Sequence, residues 1–374
     1  MAADVWKGTW ATAAEYPGKG DMPKESLSGR SCRQIIHVAM GGENIRLKLS
    51  NEFSDEPLEI KSVYIAEATS GWAVQAKTVK YLKFGGKKNV IVQPKQAVYS
   101  DELKYALKSD QWLAVTINYG INTPKVPTTH RGSRTTSYII KGESTVKSSF
   151  DGAELQDHWY NIAALEVKAP EATEVIAVLG NSITDGRGST TNKQNRWTDF
   201  FSTALNQQGK AGVLNLGIGG NCVIQGGLSQ PALVRFDRDI LEQQGVTKLV
   251  IFEGTNDIGC SGGNYEKLAA KLIESYKTLI DKAHAKGIKV YGGTITPNKG
   301  NSWYSYWHEA VRQTVNEWIR NGKAFDAVID FDALTRDEKD PQQLKPEYSD
   351  DWLHLNPAGY EAMGKYAAEI MQKK

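Results

Sequence analysis

The sequence has 374 residues, 40% hydrophobic and 24% charged, a globular composition that excludes disordered and fibrous chains and a length that suggests two domains. Its 45 basic and 43 acidic residues leave a formal net charge of +2, which argues against a nucleic-acid binder because phosphate neutralisation needs a basic excess. No apolar run approaches the ~20 residues that would cross a bilayer, so membrane insertion is not expected.

The first half of the sequence has the period of half-buried β-strands. Short runs alternate apolar and polar residues, most clearly at Ile45–Leu49, Val63–Ile65 and Leu113–Ile117. Glycine, asparagine and proline residues typical of turns separate these runs, and no long helical stripe interrupts them. The pattern predicts an antiparallel β-sandwich domain, jelly-roll-like, over residues 1–170.

Beyond Pro170 the pattern becomes one of buried strands that alternate with amphipathic helices. Nearly continuous apolar runs at Val175–Leu179 and Lys248–Phe252 are typical of parallel strands covered on both faces. Weaker strand candidates are Val213–Leu216, Val290–Ile295 and Val328–Phe331. The clearest helical face carries Tyr265, Leu268, Ala269, Leu272, Tyr276, Leu279, Ile280 and Ala283. The alternation predicts a doubly wound α/β domain over residues 171–374.

Four short segments of this second half carry polar residues suited to acyl transfer. In a doubly wound sheet, ligands bind beyond the carboxyl ends of the strands. Three of the segments follow predicted strands and the fourth lies near the C-terminus: Gly180-Asn181-Ser182, Gly217-Ile218-Gly219-Gly220, Gly254-Thr255-Asn256-Asp257 and Asp351-Trp352-Leu353-His354.

The residue types in these segments predict a nucleophile, a base and an oxyanion hole. A serine hydroxyl is a weak nucleophile until a base takes its proton, so Ser182 and His354 form the candidate pair. Asp351 lies three positions before His354, and one helical turn would place its carboxylate beside the imidazole. The N–H groups of Ser182 and Gly220 and the side-chain amide of Asn256 are suitable donors to an oxyanion.

Together the four segments resemble those of the SGNH hydrolases, also called GDSL esterases. The residues that name this family correspond to Ser182, Gly220, Asn256 and His354. The resemblance covers roughly Glu174 to Gln372, and it implies a flavodoxin-like α/β/α fold and a serine esterase that requires no metal or organic cofactor. One departure is Asn181, because the family usually has an aspartate before its nucleophile.

A closer resemblance includes the first half of the chain. The stretches Trp6–Ala13, Ile45–Asn51 and Arg235–Asp239 look like a bacterial SGNH subgroup that has an N-terminal β-domain and often occurs with xylan-degradation systems. This resemblance implies a secreted or periplasmic acetylxylan esterase type of enzyme, whose partner is an O-acetylated polysaccharide or oligosaccharide. The start of the chain lacks signal-peptide features, which fits an exported protein whose signal peptide has been removed and equally fits a cytoplasmic origin.

Two other functions remain open at this stage. Esters of longer acyl chains would make the protein a lipase or a thioesterase. A hydrolase domain that has lost activity would leave a carbohydrate-binding protein, and Asn181 is the only residue of the four segments that hints at this.

Several side chains near the four segments have two interpretations each. Trp303 and Trp307 are candidates for a sugar-stacking surface, but their spacing also suits the packing of one helix face. Arg196 and Trp197 follow the nucleophile segment and either line the substrate pocket or pack at the start of a helix.

The glycines, cysteines and acids of these segments also leave alternatives. Cys222 and Cys260 each follow an oxyanion segment, so we hypothesise a disulfide between them, the alternative being two buried free thiols. Gly217–Gly220 lacks the full spacing of a dinucleotide-binding loop, which disfavours cofactor binding. Asp350 competes with its neighbour Asp351 for the role of orienting the histidine.

Overall fold

The computed structural model describes residues 2–373, which form two compact units. The first unit contains the residues up to Thr173 and the short segment Thr191–Gln194. The second contains Glu174–Thr190 and the residues from Asn195 onward. Among the described residues, no helix combines the length and the apolar character needed to span a membrane.

The first unit is built from antiparallel sheets. Its strands are β1 (Val5–Ala11), β2 (Arg30–His37), β3 (Gly42–Ser50), β4 (Leu58–Glu67), β5 (Lys80–Tyr81), β6 (Val90–Val92), β7 (Ala97–Tyr99), β8 (Leu103–Leu107), β9 (Trp112–Tyr119), β10 (Thr129–His130), β11 (Ser137–Lys141), β12 (Glu154–Gln156), β13 (Trp159–Tyr160) and β14 (Ile162–Ala169). One sheet has the order β1-β14-β3-β7 with β8 also on β3, and another has the order β12-β11-β2-β9-β4-β5 with β6 on β4. Strands β10 and β13 form a separate pair.

The alternating pattern of the sequence explains these sheets. In β3, Ile45, Leu47 and Leu49 are fully buried, whereas Arg46 and Lys48 between them are partly exposed. This alternation is the expected result of side chains that point to opposite faces of a strand. The predicted antiparallel structure is therefore confirmed, and the sandwich packing and the jelly-roll connection of the sheets stay predictions.

The second unit is an α/β domain around a parallel sheet. Its strands are β15 (Glu174–Gly180), β16 (Ala211–Gly217), β17 (Lys248–Phe252), β18 (Lys289–Gly293) and β19 (Ala327–Ile329). Its helices are α1 (Ser182–Asp185), α2 (Trp197–Gln207), α3 (Ala232–Phe236), α4 (Thr255–Gly259), α5 (Tyr265–Ala285), α6 (Tyr306–Asn321), α7 (Phe331–Thr335) and α8 (Pro357–Gln372). The strand order is β16-β15-β17-β18-β19, and every neighbouring pair is parallel.

Helices cover both faces of this sheet. Along the sheet, the step from β15 to β16 runs in one direction, and the steps from β16 through β17 to β19 run in the opposite direction. Because crossovers between parallel strands are right-handed, α2 lies on one face of the sheet and α3, α5 and α6 lie on the other. Accordingly, α2 packs against α8, and α5 packs against α6. Val175–Leu179 in β15 is buried throughout, which explains its continuous apolar run.

Two details of the predicted elements differ from the structure. The last strand ends at Ile329 instead of Phe331, because Asp330 accepts a hydrogen bond from Ala333 N and thereby caps the start of α7. The predicted helical face of α5 is confirmed from Ala269 to Ala283, whereas Tyr265 and Leu268 in its first turn are only half-buried.

Candidate active site

The carboxyl ends of three neighbouring strands lie level with one another. Gly180 at the end of β15 pairs with Gly217 of β16 and with Phe252 of β17. The segments that follow these three strands therefore start side by side at one edge of the sheet. This edge is where doubly wound folds place their ligands.

The first of these segments is a tight turn that starts helix α1 at Ser182. Asn181 caps this helix, and its Oδ1 accepts a hydrogen bond from Ile183 N at 3.0 Å. Any side chain at Gly180 would collide with Thr184, so the turn requires glycine there. An aspartate would cap as well as an asparagine does, and Asn181 therefore gives no structural reason to expect an inactive site.

The structure brings Ser182, His354 and Asp351 together, although they are far apart in the sequence. Ser182 Oγ lies 2.9 Å from His354 Nε2. On the other side of the ring, His354 Nδ1 lies 2.6 Å from Asp351 Oδ2. A proton can therefore pass from the hydroxyl to the imidazole while the carboxylate holds the ring.

Asp351 reaches the imidazole through a bend, and the predicted helical turn is wrong. Trp352 has a positive φ of 64°, and Asp351 Oδ1 accepts hydrogen bonds from Leu353 N at 2.9 Å and His354 N at 2.7 Å. The side chain thus closes the bend through one oxygen and orients the ring through the other. Of the two neighbouring acids, Asp351 is the one whose carboxylate bonds His354 Nδ1.

These contacts also govern the charge of Asp351. Partial burial raises the pKa of this carboxyl, but the hydrogen bonds from the His354 ring and from Leu353 N and His354 N outweigh burial, so that the pKa lies below its ordinary value. Asp351 is therefore ionised at neutral pH and can stabilise a positive charge on His354.

Three N–H donors are available at the neighbouring strand ends. Among the described residues, none accepts a hydrogen bond from Ser182 N or Gly220 N. Asn256 Nδ2 donates one of its two hydrogens to Asn221 O at 2.9 Å. Gly220 has a φ of 69°, a conformation that favours glycine. These groups have the chemistry that an oxyanion hole requires, and their role stays a prediction.

A buried arginine that lies in the stretch Arg235–Asp239, and to which the sequence assigned no role in the site, holds the Gly220 segment in place. Arg235 is fully buried and donates to Gly180 O at 3.2 Å, to Leu216 O at 2.8 Å and to Asn221 Oδ1 at 3.1 Å. Asp239 balances its charge at 3.0 Å. The guanidinium therefore joins the ends of β15 and β16 to the residue that follows Gly220. The sequence signals at this position were the subgroup resemblance of Arg235–Asp239 and the i,i+4 spacing of Arg235 and Asp239, and neither indicates what the arginine bonds.

Removal of the Asn256 amide is expected to lower kcat by about 10²–10³-fold, with a small effect on KM. In an Asn256→Ala variant the oxyanion loses a donor, and Asn221 O loses its hydrogen bond. Steady-state kinetics with an activated acetate ester measures this loss. Asn206→Ala on α2 is the control, because it removes a side-chain amide that donates to nearby backbone carbonyls. An Asn256→Ala enzyme with unchanged kcat would remove this residue from the oxyanion hole.

Two buried carboxyl groups flank Asn256 in the sequence, Glu253 before it and Asp257 after it. Burial raises the pKa of Asp257 to about 6, against the opposing effect of hydrogen bonds from Val223 N and Ile224 N. Glu253 is 2% exposed, and neither of its carboxyl oxygens has a hydrogen-bond partner among the described residues. Burial raises the pKa of Glu253 well above its ordinary value, although the Arg235 charge lowers it. Burial therefore favours the protonated form of Glu253.

The buried carboxyl of Glu253 is expected to make the folded state less stable as the pH rises. The unfolded chain releases this proton above about pH 4.3, whereas burial keeps it bound up to a higher pH in the folded chain. Within that interval the free energy of unfolding falls by up to ~1.4 kcal/mol per pH unit. Glu253→Gln removes the titration and should gain stability relative to wild type between pH 5 and pH 8. Urea unfolding at pH 5 and at pH 8 measures the difference in free energy of unfolding between variant and wild type. Glu266→Gln, at an exposed position, is the control. An equal difference in the free energy of unfolding at both pH values would contradict a raised pKa of Glu253.

The structure corrects one of the predicted substrate-binding residues beside the nucleophile. Trp197 is fully buried, packs against Phe201 and Phe331, and donates from Nε1 to Thr184 Oγ1 at 3.1 Å. It therefore supports the nucleophile turn from inside and cannot line a substrate pocket. Arg196 forms an ion pair with Asp199 at 2.8 Å in the first turn of α2, so its guanidinium is engaged at the start of the helix.

The two predicted stacking tryptophans differ in their exposure. Trp303 is half-buried, and its ring packs on Gly259 of α4. Trp307 is 57% exposed and stacks on Tyr265, with ring centroids 5.8 Å apart and an interplanar angle of 4°. Tyr306 beside it is also exposed. Trp307, which also contacts Tyr306 edge to face, is thus the more exposed tryptophan of this pair.

The hypothesis of a disulfide between Cys222 and Cys260 is wrong. Both are free thiols, as is Cys32. Cys222 is buried behind Gly227, where an added Cβ would lie 2.8 Å from its sulfur, whereas Cys260 is exposed. Both residues line a cavity of about 350 Å³, together with Ile224, Gln225, Gly226, Gly227, Asp257, Ser261, Gly263, Asn264, Lys267, Leu268 and Lys271.

Comparison with known proteins gives a family match for the second unit. The model of the GDSL-like lipase/acylhydrolase family matches residues 178–362. A GDSL-like lipase from Bacteroides thetaiotaomicron VPI-5482 is 20% identical over 52% of this chain and 86% of its own, with a TM-score of 0.40. The psychrotrophic esterase EstA from Pseudoalteromonas sp. is 18% identical over 53% of this chain and 97% of its own, with a TM-score of 0.41. No curated protein matches the chain.

Proposed function

We propose, from the premise that residues 178–362 form a GDSL-like lipase/acylhydrolase domain, that the protein is a serine esterase of the Ser-His-Asp type. One observation carries this proposal: Ser182 Oγ, the His354 ring and Asp351 form a continuous hydrogen-bonded chain with distances of 2.9 Å and 2.6 Å. The order of the parallel strands, β16-β15-β17-β18-β19, supports the flavodoxin-like arrangement that the family resemblance implies.

The proposed reaction has two halves. Ser182 Oγ attacks the ester carbonyl while His354 Nε2 takes the hydroxyl proton, and the N–H groups of Ser182, Gly220 and Asn256 bind the oxyanion. His354 then returns the proton to the leaving alcohol, and the acyl group stays on the serine. Water deprotonated by His354 attacks this acyl-enzyme, releases the carboxylic acid and restores the serine hydroxyl.

The preferred substrate is an O-acetylated plant polysaccharide or oligosaccharide such as acetylated xylan. The exposed ring of Trp307 and the neighbouring Tyr306 support this choice, because flat aromatic surfaces that remain in solvent suit the apolar faces of sugar rings. The similarity of the first half to the xylan-associated subgroup supports it further. A polymer substrate of this kind places the enzyme outside the cytoplasm, either secreted or periplasmic.

Longer acyl esters are the second candidate substrates. The cavity of about 350 Å³ lies between residues 222–227 and the start of α5, next in sequence to Gly220 and Asn256. Ile224 and Leu268 give its wall some apolar surface, and an acyl chain suits such a cavity. Lys267 and Lys271 also line this cavity, and their charges favour a polar ligand over an acyl chain.

Two assays separate these candidates. The first compares kcat/KM for p-nitrophenyl esters from acetate to dodecanoate, and the second measures acetate released from acetylated xylan. We expect the highest kcat/KM with acetate and release of acetate from the polymer. A preference for chains beyond about eight carbons would contradict the acetyl assignment, and no hydrolysis of any ester would contradict the esterase proposal.

A further inference from the structure

An exposed leucine lies on the glycine that is predicted to bind the oxyanion. Residues Asn221–Leu228, which we call the flap, fold back so that Asn221 and Gly227 form an antiparallel bridge. Leu228 N donates to Gly220 O at 2.9 Å. A Cβ added to Gly220 would lie 2.8 Å from Leu228 Cδ1 and 2.9 Å from its Cγ. The Leu228 side chain therefore covers the Cα of Gly220.

The Leu228 side chain is not needed to hold the flap. It is 52% exposed, so it contributes little to any core. Backbone bonds and the Asn221 amide hold the flap, because Asn221 Nδ2 donates to Leu228 O at 3.2 Å and to Gln230 O at 2.9 Å. Gly227 is equally constrained, since an added Cβ there would lie 2.6 Å from Gly220 O. A large apolar side chain is thus fixed at the surface without a packing role.

The position of Leu228 suits a contact with the acyl part of a bound ester. When the Gly220 N–H binds the carbonyl oxygen of an ester, the nitrogen and the oxygen lie about 3 Å apart. The first carbon of the acyl chain is bonded directly to the carbonyl carbon. Leu228 is in contact with Gly220, so an acyl group whose carbonyl oxygen is held by the Gly220 N–H would lie only a few bond lengths from its side chain. Leucine has no group that could bond sugar hydroxyls, which favours contact with the alkyl part of the substrate over contact with the sugar.

We infer that Leu228 determines acyl specificity: it forms the apolar wall of the acyl site and limits the bound group to acetyl. This inference rests on the proposed esterase function and adds to it the size of the acyl group. Leu228 is not among the residues that line the cavity behind the flap, whereas Cys222 and Ile224–Gly227 are. Truncation of Leu228 therefore enlarges the space on the Gly220 side of the flap.

The test is the ratio of kcat/KM for p-nitrophenyl butyrate to kcat/KM for p-nitrophenyl acetate. This ratio does not depend on the fraction of enzyme that is folded. Leu228→Ala is expected to raise it about tenfold, the discrimination that one or two methylene groups produce in an apolar site. Leu228→Phe is expected to lower it. Val234→Ala on α3, which truncates another exposed aliphatic residue (61%), should leave it unchanged.

The outcomes separate this inference from the proposed function. An unchanged ratio in both Leu228 variants, in an enzyme that hydrolyses acetate, would overturn the role of Leu228 and leave the esterase proposal standing. A wild-type enzyme that hydrolyses neither ester would overturn both. If Leu228→Ala fails to fold, Leu228→Val retains an apolar side chain and is expected to raise the ratio by a smaller factor.

Discussion

Replacement of Ser182 by alanine is expected to lower kcat for an acetate ester by about four to six orders of magnitude. The hydroxyl lies within hydrogen-bond distance of His354 Nε2. Water would have to replace it without the same positioning. Steady-state kinetics with p-nitrophenyl acetate measures the loss, and Thr278→Ala on the exposed face of α5 controls for removal of a hydroxyl.

Replacement of His354 by alanine should slow the same step, the attack of Ser182 on the ester carbonyl. Residues of a catalytic unit are non-additive, so Ser182→Ala combined with His354→Ala is expected to be no slower than the slower single variant. Losses that instead multiply in the double variant would mean that the two side chains act in separate steps. A Ser182→Ala enzyme with near wild-type kcat would exclude this serine as the nucleophile.

The second large effect is expected from Asp351→Asn, which should lower kcat by about 10⁴-fold. Asparagine can still accept the hydrogen bonds from Leu353 N and His354 N through one oxygen, so the bend is kept. Its NH₂ group would then face His354 Nδ1 and favour the tautomer with the proton on Nε2. That nitrogen could no longer take the proton of Ser182.

The neighbouring acid provides a matched control for this prediction. Asp350→Asn removes the same charge one residue away, from an exposed side chain, and leaves the bond between Asp351 and His354 Nδ1 in place. It should leave kcat within about twofold of wild type. A larger loss in Asp350→Asn than in Asp351→Asn would mean that the bend rearranges in solution and that the other carboxylate orients the ring.

The parts of the site that follow strands could be predicted from the sequence. A continuous apolar run marks a buried parallel strand, and the ends of parallel strands share one edge of the sheet. Ser182, Gly220 and Asn256 each follow such a strand. The alternation of Ile45, Leu47 and Leu49 likewise predicts an antiparallel strand without any long-range information.

The parts that depend on distances between segments could not be predicted. Trp197 follows the nucleophile turn in sequence, but only the fold shows that its ring points into the core. Arg235 bonds the ends of two strands at once, and Leu228 contacts Gly220 through the fold of the flap. Cys222 and Cys260 line one cavity, yet one is buried and the other exposed. No local pattern carries this information.

Covalent labelling by a fluorophosphonate tests most directly whether His354 activates Ser182, because such a reagent reacts with a serine only when a nearby base activates its hydroxyl. Mass spectrometry of the intact protein and of its peptides should find one adduct, on Ser182, that is absent from Ser182→Ala and greatly slowed in His354→Ala. A wild-type protein that remains unlabelled, or an adduct that persists in Ser182→Ala, would contradict the proposed catalytic site.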